Sequence, residues 1–150
     1  MNDPARELLS CAAALLDQGR HVDRLSRPLT AASLIGAVAA PLTLNRPPWN
    51  LLACLTVAAL AGLIEMYFAI RVGFDAALFH QRSAAPEGPA FAGTDAALSA
   101  LGLLPAAKRG RPADARVTGA RRLFRCQILA LVAQVLAAAA GAYVAWTWPH

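Results

Sequence analysis

The sequence predicts an all-α integral membrane protein, with three transmembrane helices and two short amphipathic helices outside them. Three observations carry this. The 150 residues are 57% hydrophobic and only 15% charged, whereas a soluble domain carries about 25% charge. Three stretches, 28–45, 47–64 (continuing through Glu65 to Ile70) and 126–150, hold no Asp, Glu, Lys or Arg apart from Glu65; a spanning helix needs about 20 mostly apolar residues. The arginines cluster in alternate connections, as expected of a chain that threads a bilayer. A length of 150 residues fits a single membrane domain, 1–150.

The elements follow in order. Residues 3–18, DPARELLSCAAALLDQ, read as an interfacial helix. Asp3 suits the N-cap, Pro4 the first turn and Gly19 the stop. Leu8, Leu9, Ala12, Leu15 and Leu16 share one face, which predicts a helix lying on the inner leaflet, on a partner, or on the protein's own cytoplasmic loop. The first span covers 26–45, and Pro41 is expected to kink it near its outer end. The Pro47–Pro48 pair stiffens the outer turn, NRPPWN. The second span, 50–81, continues past the membrane as a cytoplasmic extension. A cytoplasmic loop, 82–122, opens on the Pro-, Gly- and Ser-rich QRSAAPEGPAFAGT, read as irregular chain. It then forms a short helix over 95–104, with Thr94 as cap, Leu98, Leu101 and Leu104 as apolar face and Pro105 as terminator. The basic KRGRPADAR that follows is expected to be flexible. The third span is 123–147.

Charge placement sets the expected orientation. Arg6, Arg20, Arg24 and Arg27 precede the first span. Arg82, Lys108, Arg109, Arg111, Arg116, Arg121 and Arg122 lie between the second and third, while the outer turn has Arg46 and the C-terminal tail no basic residue. Loops rich in Lys and Arg stay in the cytoplasm, so the N-terminus is expected to be cytoplasmic and the C-terminus periplasmic. Trp49, Trp146 and Trp148 fall where an outer aromatic belt belongs. The same sorting accounts for the net charge of +5 without nucleic acid. KRGR could meet anionic lipid or nucleic acid, but a solvated topogenic loop is the simpler reading. The 36 alanines, and 13 arginines against the single Lys108, suggest a GC-rich bacterial gene and hence the inner membrane. The first apolar run starts too far along the chain, and follows too many acidic residues, to be a cleaved leader.

Little in the sequence announces chemistry. Cys11, Cys54 and Cys126 are isolated, with no CxxC and no Cys/His spacing for a metal. No nucleophile elbow, HExxH, P-loop or paired-histidine haem arrangement is present. His80, near Asp75 in sequence, reads as a surface histidine sooner than a metal or quinone site. No internal repeat suggests an inverted-repeat transporter. No catalytic residue, cofactor or metal is therefore expected.

The informative exception is Glu65, about 21 Å into the second span if that span begins near Leu51. A carboxylate there faces a bundle interior, pairs, or serves function. Arg71 at the inner boundary, Asp75 one turn on, and Arg125 at the start of the third span complete an expected boundary charge cluster. Arg71 is expected to pair with Asp75, and Arg125 to point in toward Glu65. Tyr67, Thr56 and Gln134 are weak polar company. The cluster reads as a network fixing helix register, as a contact for a partner subunit, or as an ion or proton relay through Glu65. Small residues recur every four positions: Ala32, Gly36 and Ala40; Ala58 and Gly62; Ala137, Gly141 and Ala145. Such faces let helices approach closely, and Gly36, Gly62 and Gly141 are the expected packing positions.

Two function classes follow. The first is a non-catalytic inner-membrane subunit or scaffold that binds partner membrane proteins or itself within the lipid bilayer. The alternative is a small homo-oligomeric channel, carrier or holin-like pore built around Glu65, although the expected orientation suits three-span holins poorly.

Overall fold

Five helices, and no strand among the described residues, make up the computed structural model, which describes residues 4–44, 48–85, 91–103, 105, 107 and 109–148. They are α1 (Pro4–Asp17), α2 (Gly19–Thr43), α3 (Trp49–Ala84), α4 (Ala92–Ala100) and α5 (Ala113–Thr147). The backbone stays helical through Gln18, with His21 N–H donating to the Gln18 carbonyl at 3.0 Å. So α1 and α2 together, α3, and α5 are three rods of 40, 36 and 35 residues, each long and apolar enough to cross a membrane. The chain is thus compatible with a multi-pass membrane protein.

The rods run antiparallel in sequence order. Gly19 lies beside Val72, Gly62 beside Thr30, and Gly36 beside Leu55, which sets α2 against α3. Gly141 beside Cys54 and Gly62 beside Gln134 set α5 against α3 in the same sense. Thirty-six residues of helix measure about 54 Å, while a bilayer core is about 30 Å thick. The bundle therefore outruns any membrane it crosses, and the surplus lies at the end holding α1, the end of α3 and the start of α5.

That surplus has its own apolar core. From α1, Leu9, Ala12, Ala13 and Leu16 are buried. They pack with Val72, Ala76 and Phe79 of α3, with Phe91, and with Val117 and Ala120 of α5. In place of the cytoplasmic loop expected as the intramolecular docking surface, the chain's own helices α3 and α5 take the inner half of the apolar face of α1; Leu8 and Leu15 stay exposed on the outer half. The Arg6 guanidinium donates to the Ala85 carbonyl at 3.0 Å, and His80 bonds the Asp17 carboxylate at 2.9 Å, which fastens both ends of α1 to α3.

Several boundaries differ from the sequence expectation, each for a local reason. Gly19 does not stop a helix but begins α2: a Cβ there would come within 2.8 Å of Gln127 Oε1 and 3.0 Å of Val72, so the glycine serves close approach. Beyond Pro41, α2 continues to Thr43, and Leu44 turns extended. The short helix occupies 92–100, not 95–104. Thr94 lies inside its first turn, and Phe91 precedes it. It ends in a Schellman turn: Gly102 is left-handed (φ 69°), Leu103 N–H reaches the Leu98 carbonyl at 2.8 Å, and Gly102 N–H reaches that of Ser99 at 3.0 Å. Gly102 therefore stops α4 before Pro105, leaving Leu101 and Leu103 exposed. Finally, α5 starts at Ala113, ten residues before the expected third span, because Val117 and Ala120 pack under α1 and Pro112 supplies an extended entry. The second half of KRGRPADAR is thus helical. The Asp3 cap, Arg46, Pro47, Leu104, Lys108 and the terminal His150 lie outside the described residues.

Candidate functional site

The polar residues of the bundle interior form one seam. On α2, Ser26, Thr30 and Ser33 recur at helical spacing on the inward face, and all three are buried. Glu65 enters from α3, Gln127 and Gln134 from α5, and all three are fully buried. Gln127 and Gln134 are seven residues apart, two turns along one face, so both glutamines meet the other helices.

The hydrogen bonds join all three rods. Gln127 Nε2 donates to Glu65 Oε1 at 2.7 Å and to the Gly19 carbonyl at 2.9 Å. Gln134 Nε2 donates to Thr30 Oγ1 at 2.8 Å and to the Ser26 carbonyl at 3.1 Å. Ser26 Oγ donates to Gln134 Oε1 at 2.7 Å, and Thr30 Oγ1 to the Ser26 carbonyl at 2.9 Å. Gly62 lets the helices close over this group: a Cβ there would overlap the Thr30 hydroxyl and come within 2.5 Å of Gln134 Nε2. In a setting poor in water such bonds have no solvent competitor, and breaking one leaves an unsatisfied polar atom.

The expected charge cluster is not assembled. Glu65 takes Gln127 as its partner, while Arg125 is exposed and forms no ion pair with it. Arg71 does not pair with Asp75; its guanidinium lies 5.5 Å from the centre of the Tyr67 ring, a cation–π placement. Asp75, four residues beyond Arg71 on the stretch of α3 whose Val72, Ala76 and Phe79 join the α1 core, is half-buried. Burial pushes its carboxyl up to about 6 against the pull of the Arg71 and Arg116 charges. His80 meets Asp17, not Asp75. Gly36 faces the Leu55 side chain, Gly62 the polar seam and Gly141 Cys54, while Ala32 and Ala145 are exposed.

A second polar group holds α4. Asp95 is buried and accepts from Arg116 Nη2 at 2.8 Å on each oxygen and from Gly110 N–H at 2.8 Å. The Arg116 guanidinium stacks 4.4 Å from the Phe91 ring centre and donates through Nε to the Arg111 carbonyl. Arg109 also reaches the Ser99 hydroxyl. Asp95 thus fixes the loop ahead of α5.

Ser26, Thr30, Ser33 and Gln127 went unnoticed in the sequence, although a signal was present. Residues 26, 30 and 33 on one rod, and 127 and 134 on another, are polar positions at spacings of four, three and seven. Such a stripe in an apolar helix marks the face that avoids lipid. The three cysteines are free, and no group of His, Cys, Asp and Glu among the described residues is arranged to hold a metal. Comparison with family models, with curated proteins and with solved structures finds no match for this chain.

Proposed function

We propose that the protein is a non-catalytic subunit or scaffold of the bacterial inner membrane that assembles with partner membrane proteins, its N-terminus cytoplasmic and its C-terminus periplasmic. One observation carries this reading. The polar side chains of the seam face one another inside the bundle: Glu65 bonds Gln127 of its own chain, is fully buried and presents no polar group to the outside. Such a bundle is a closed rod, and apolar faces such as that of Leu129, Leu136 and Tyr143 are what it offers within the membrane. At the arginine-rich end, α1 packs on α3 and α5 as a folded platform next to those faces. A rod with a platform suits holding a neighbour in place.

The alternative, a small homo-oligomeric channel or carrier, draws on the seam itself. Ser26, Thr30 and Ser33 continue along α2 beyond Glu65, a polar track inside one chain. Purification from native membranes in mild detergent separates the two readings. The scaffold predicts a hetero-complex of fixed stoichiometry that persists in Glu65→Gln, and no ion flux after reconstitution in liposomes. A homo-oligomer whose ion flux is lost in Glu65→Gln would sink it.

A further inference from the structure

We propose that Glu65 is a buried proton-binding site, its carboxyl neutral with the proton on Oε2. The inference rests on counting hydrogens. Gly19 O and Ser26 O can only accept, so the bonds that Gln127 and Gln134 make to them fix which end of each amide is nitrogen. Both hydrogens of Gln127 Nε2 are then committed, to Gly19 O and Glu65 Oε1. Both hydrogens of Gln134 Nε2 go to Ser26 O and Thr30 Oγ1. The Thr30 hydroxyl hydrogen goes to Ser26 O. The Ser26 hydroxyl hydrogen goes to Gln134 Oε1, which as an amide oxygen must accept it.

No donor hydrogen of these four side chains is left over, yet two fully buried acceptors have none: Glu65 Oε2 and Gln127 Oε1. One proton on Glu65 Oε2 supplies what is missing: it gives the carboxyl a hydrogen to offer the other orphan, Gln127 Oε1, on the same amide that already bonds Glu65 Oε1, and it removes a bare charge from the interior. The charged groups whose fields reach the site are Asp23 and Arg27 of α2, which pair with each other at 2.7 Å. From α5 the site receives the neutral amides, while Arg125 stays exposed. Among the described residues no cation forms an ion pair with Glu65; the one whose field reaches it, Arg27, is paired with Asp23. A carboxylic acid with one donor and one acceptor oxygen fits the site, and a carboxylate with one orphan oxygen does not. This inference is independent of whether the chain serves as scaffold or pore.

Infrared spectroscopy of the full chain in lipid nanodiscs tests it. At a pH of about 8, where Asp75 and the exposed carboxyls are ionised, the spectrum is expected to hold one carboxylic-acid C=O band. That band vanishes in Glu65→Gln and stays in Asp75→Asn. Gln127→Leu, which removes the amide that faces the carboxyl, is expected to shift it, which keeps the assignment open to test if Glu65→Gln fails to fold. Absence of the band from the wild-type protein at that pH overturns the proposal, as does a band that persists in Glu65→Gln. A band bleached by sodium at constant pH also overturns it, in favour of a cation site.

Discussion

At the scale of single residues, the seam separates two glycines that look alike in sequence. A Cβ at Gly62 would overlap the Thr30 hydroxyl and press on Gln134, both held by hydrogen bonds. A Cβ at Gly36 would meet the Leu55 methyls at 3.3–3.4 Å, the far end of a flexible side chain. Overpacking of a constrained site costs about 1–3 kcal/mol. Gly62→Ala is therefore expected to lower the thermal midpoint of the detergent-solubilised protein clearly, and Gly36→Ala to leave it nearly unchanged; equal effects would refute the distinction. Asp75 gives a pH dependence. Its carboxyl is raised by burial from 3.8 to about 6, so the folded chain holds a proton there that the unfolded chain releases. Stability from this group is full below a pH of about 4, falls as pH rises toward 6, and is then level. Asp75→Asn removes the penalty. It should stabilise the fold at pH 8 by on the order of 1–2 kcal/mol after screening, seen as a higher thermal midpoint, and leave the midpoint unchanged at pH 4. A gain at both pH values would show that the cause is not ionisation.

At the scale of elements, the long helices were legible and the short ones less so. The second rod, expected over 50–81 and observed over 49–84, is apolar for so long that no other structure satisfies its backbone. The start of α5 was hidden because its first ten residues are polar or small, and only contact with α1 makes Val117 and Ala120 core. For α4, the sequence offered Thr94 as the cap, but the helix starts two residues earlier, at Ala92, and Asp95 is held by Arg116 from α5, a contact no local pattern announces. At the seam, Glu65 stood out because it is charged. Gln127 did not, because an uncharged amide breaks no pattern until its neighbours on other helices are known. The Asp95–Arg116 pair predicts its own behaviour. Both side chains are largely buried, and removing one partner strands the other, a loss of up to about 3–5 kcal/mol. Arg116→Met should let the amides of α4 exchange hydrogen quickly while those of α3 stay protected. Arg116→Lys should rescue little, since an ammonium cannot reproduce the two bonds to Asp95 and the stack on Phe91. Unchanged exchange in both variants would mean that α4 is held by Phe91 alone.

At the scale of the whole molecule, the antiparallel rods sort the surface into two unlike ends. One end carries Trp49 and Trp146, both highly exposed. The other carries the arginines of α1, early α2, late α3 and early α5, with the small core that joins them. Each basic residue close to an anionic leaflet contributes about 1 kcal/mol, and moving the arginine end across the bilayer would also carry a folded α1 platform through it. The arginine end is therefore expected in the cytoplasm. Cys11 reports on this without any mutation, because it is exposed on α1 while Cys54 and Cys126 are half-buried within the rods. A membrane-impermeant maleimide should leave Cys11 unlabelled in spheroplasts and label it in inside-out vesicles, and a phosphatase fused after His150 should be active. Labelling of Cys11 from the outside, with a silent C-terminal fusion, would reverse the protein in the membrane. The helix packing would stand, but the charge rule would have failed for a chain whose two ends differ this much.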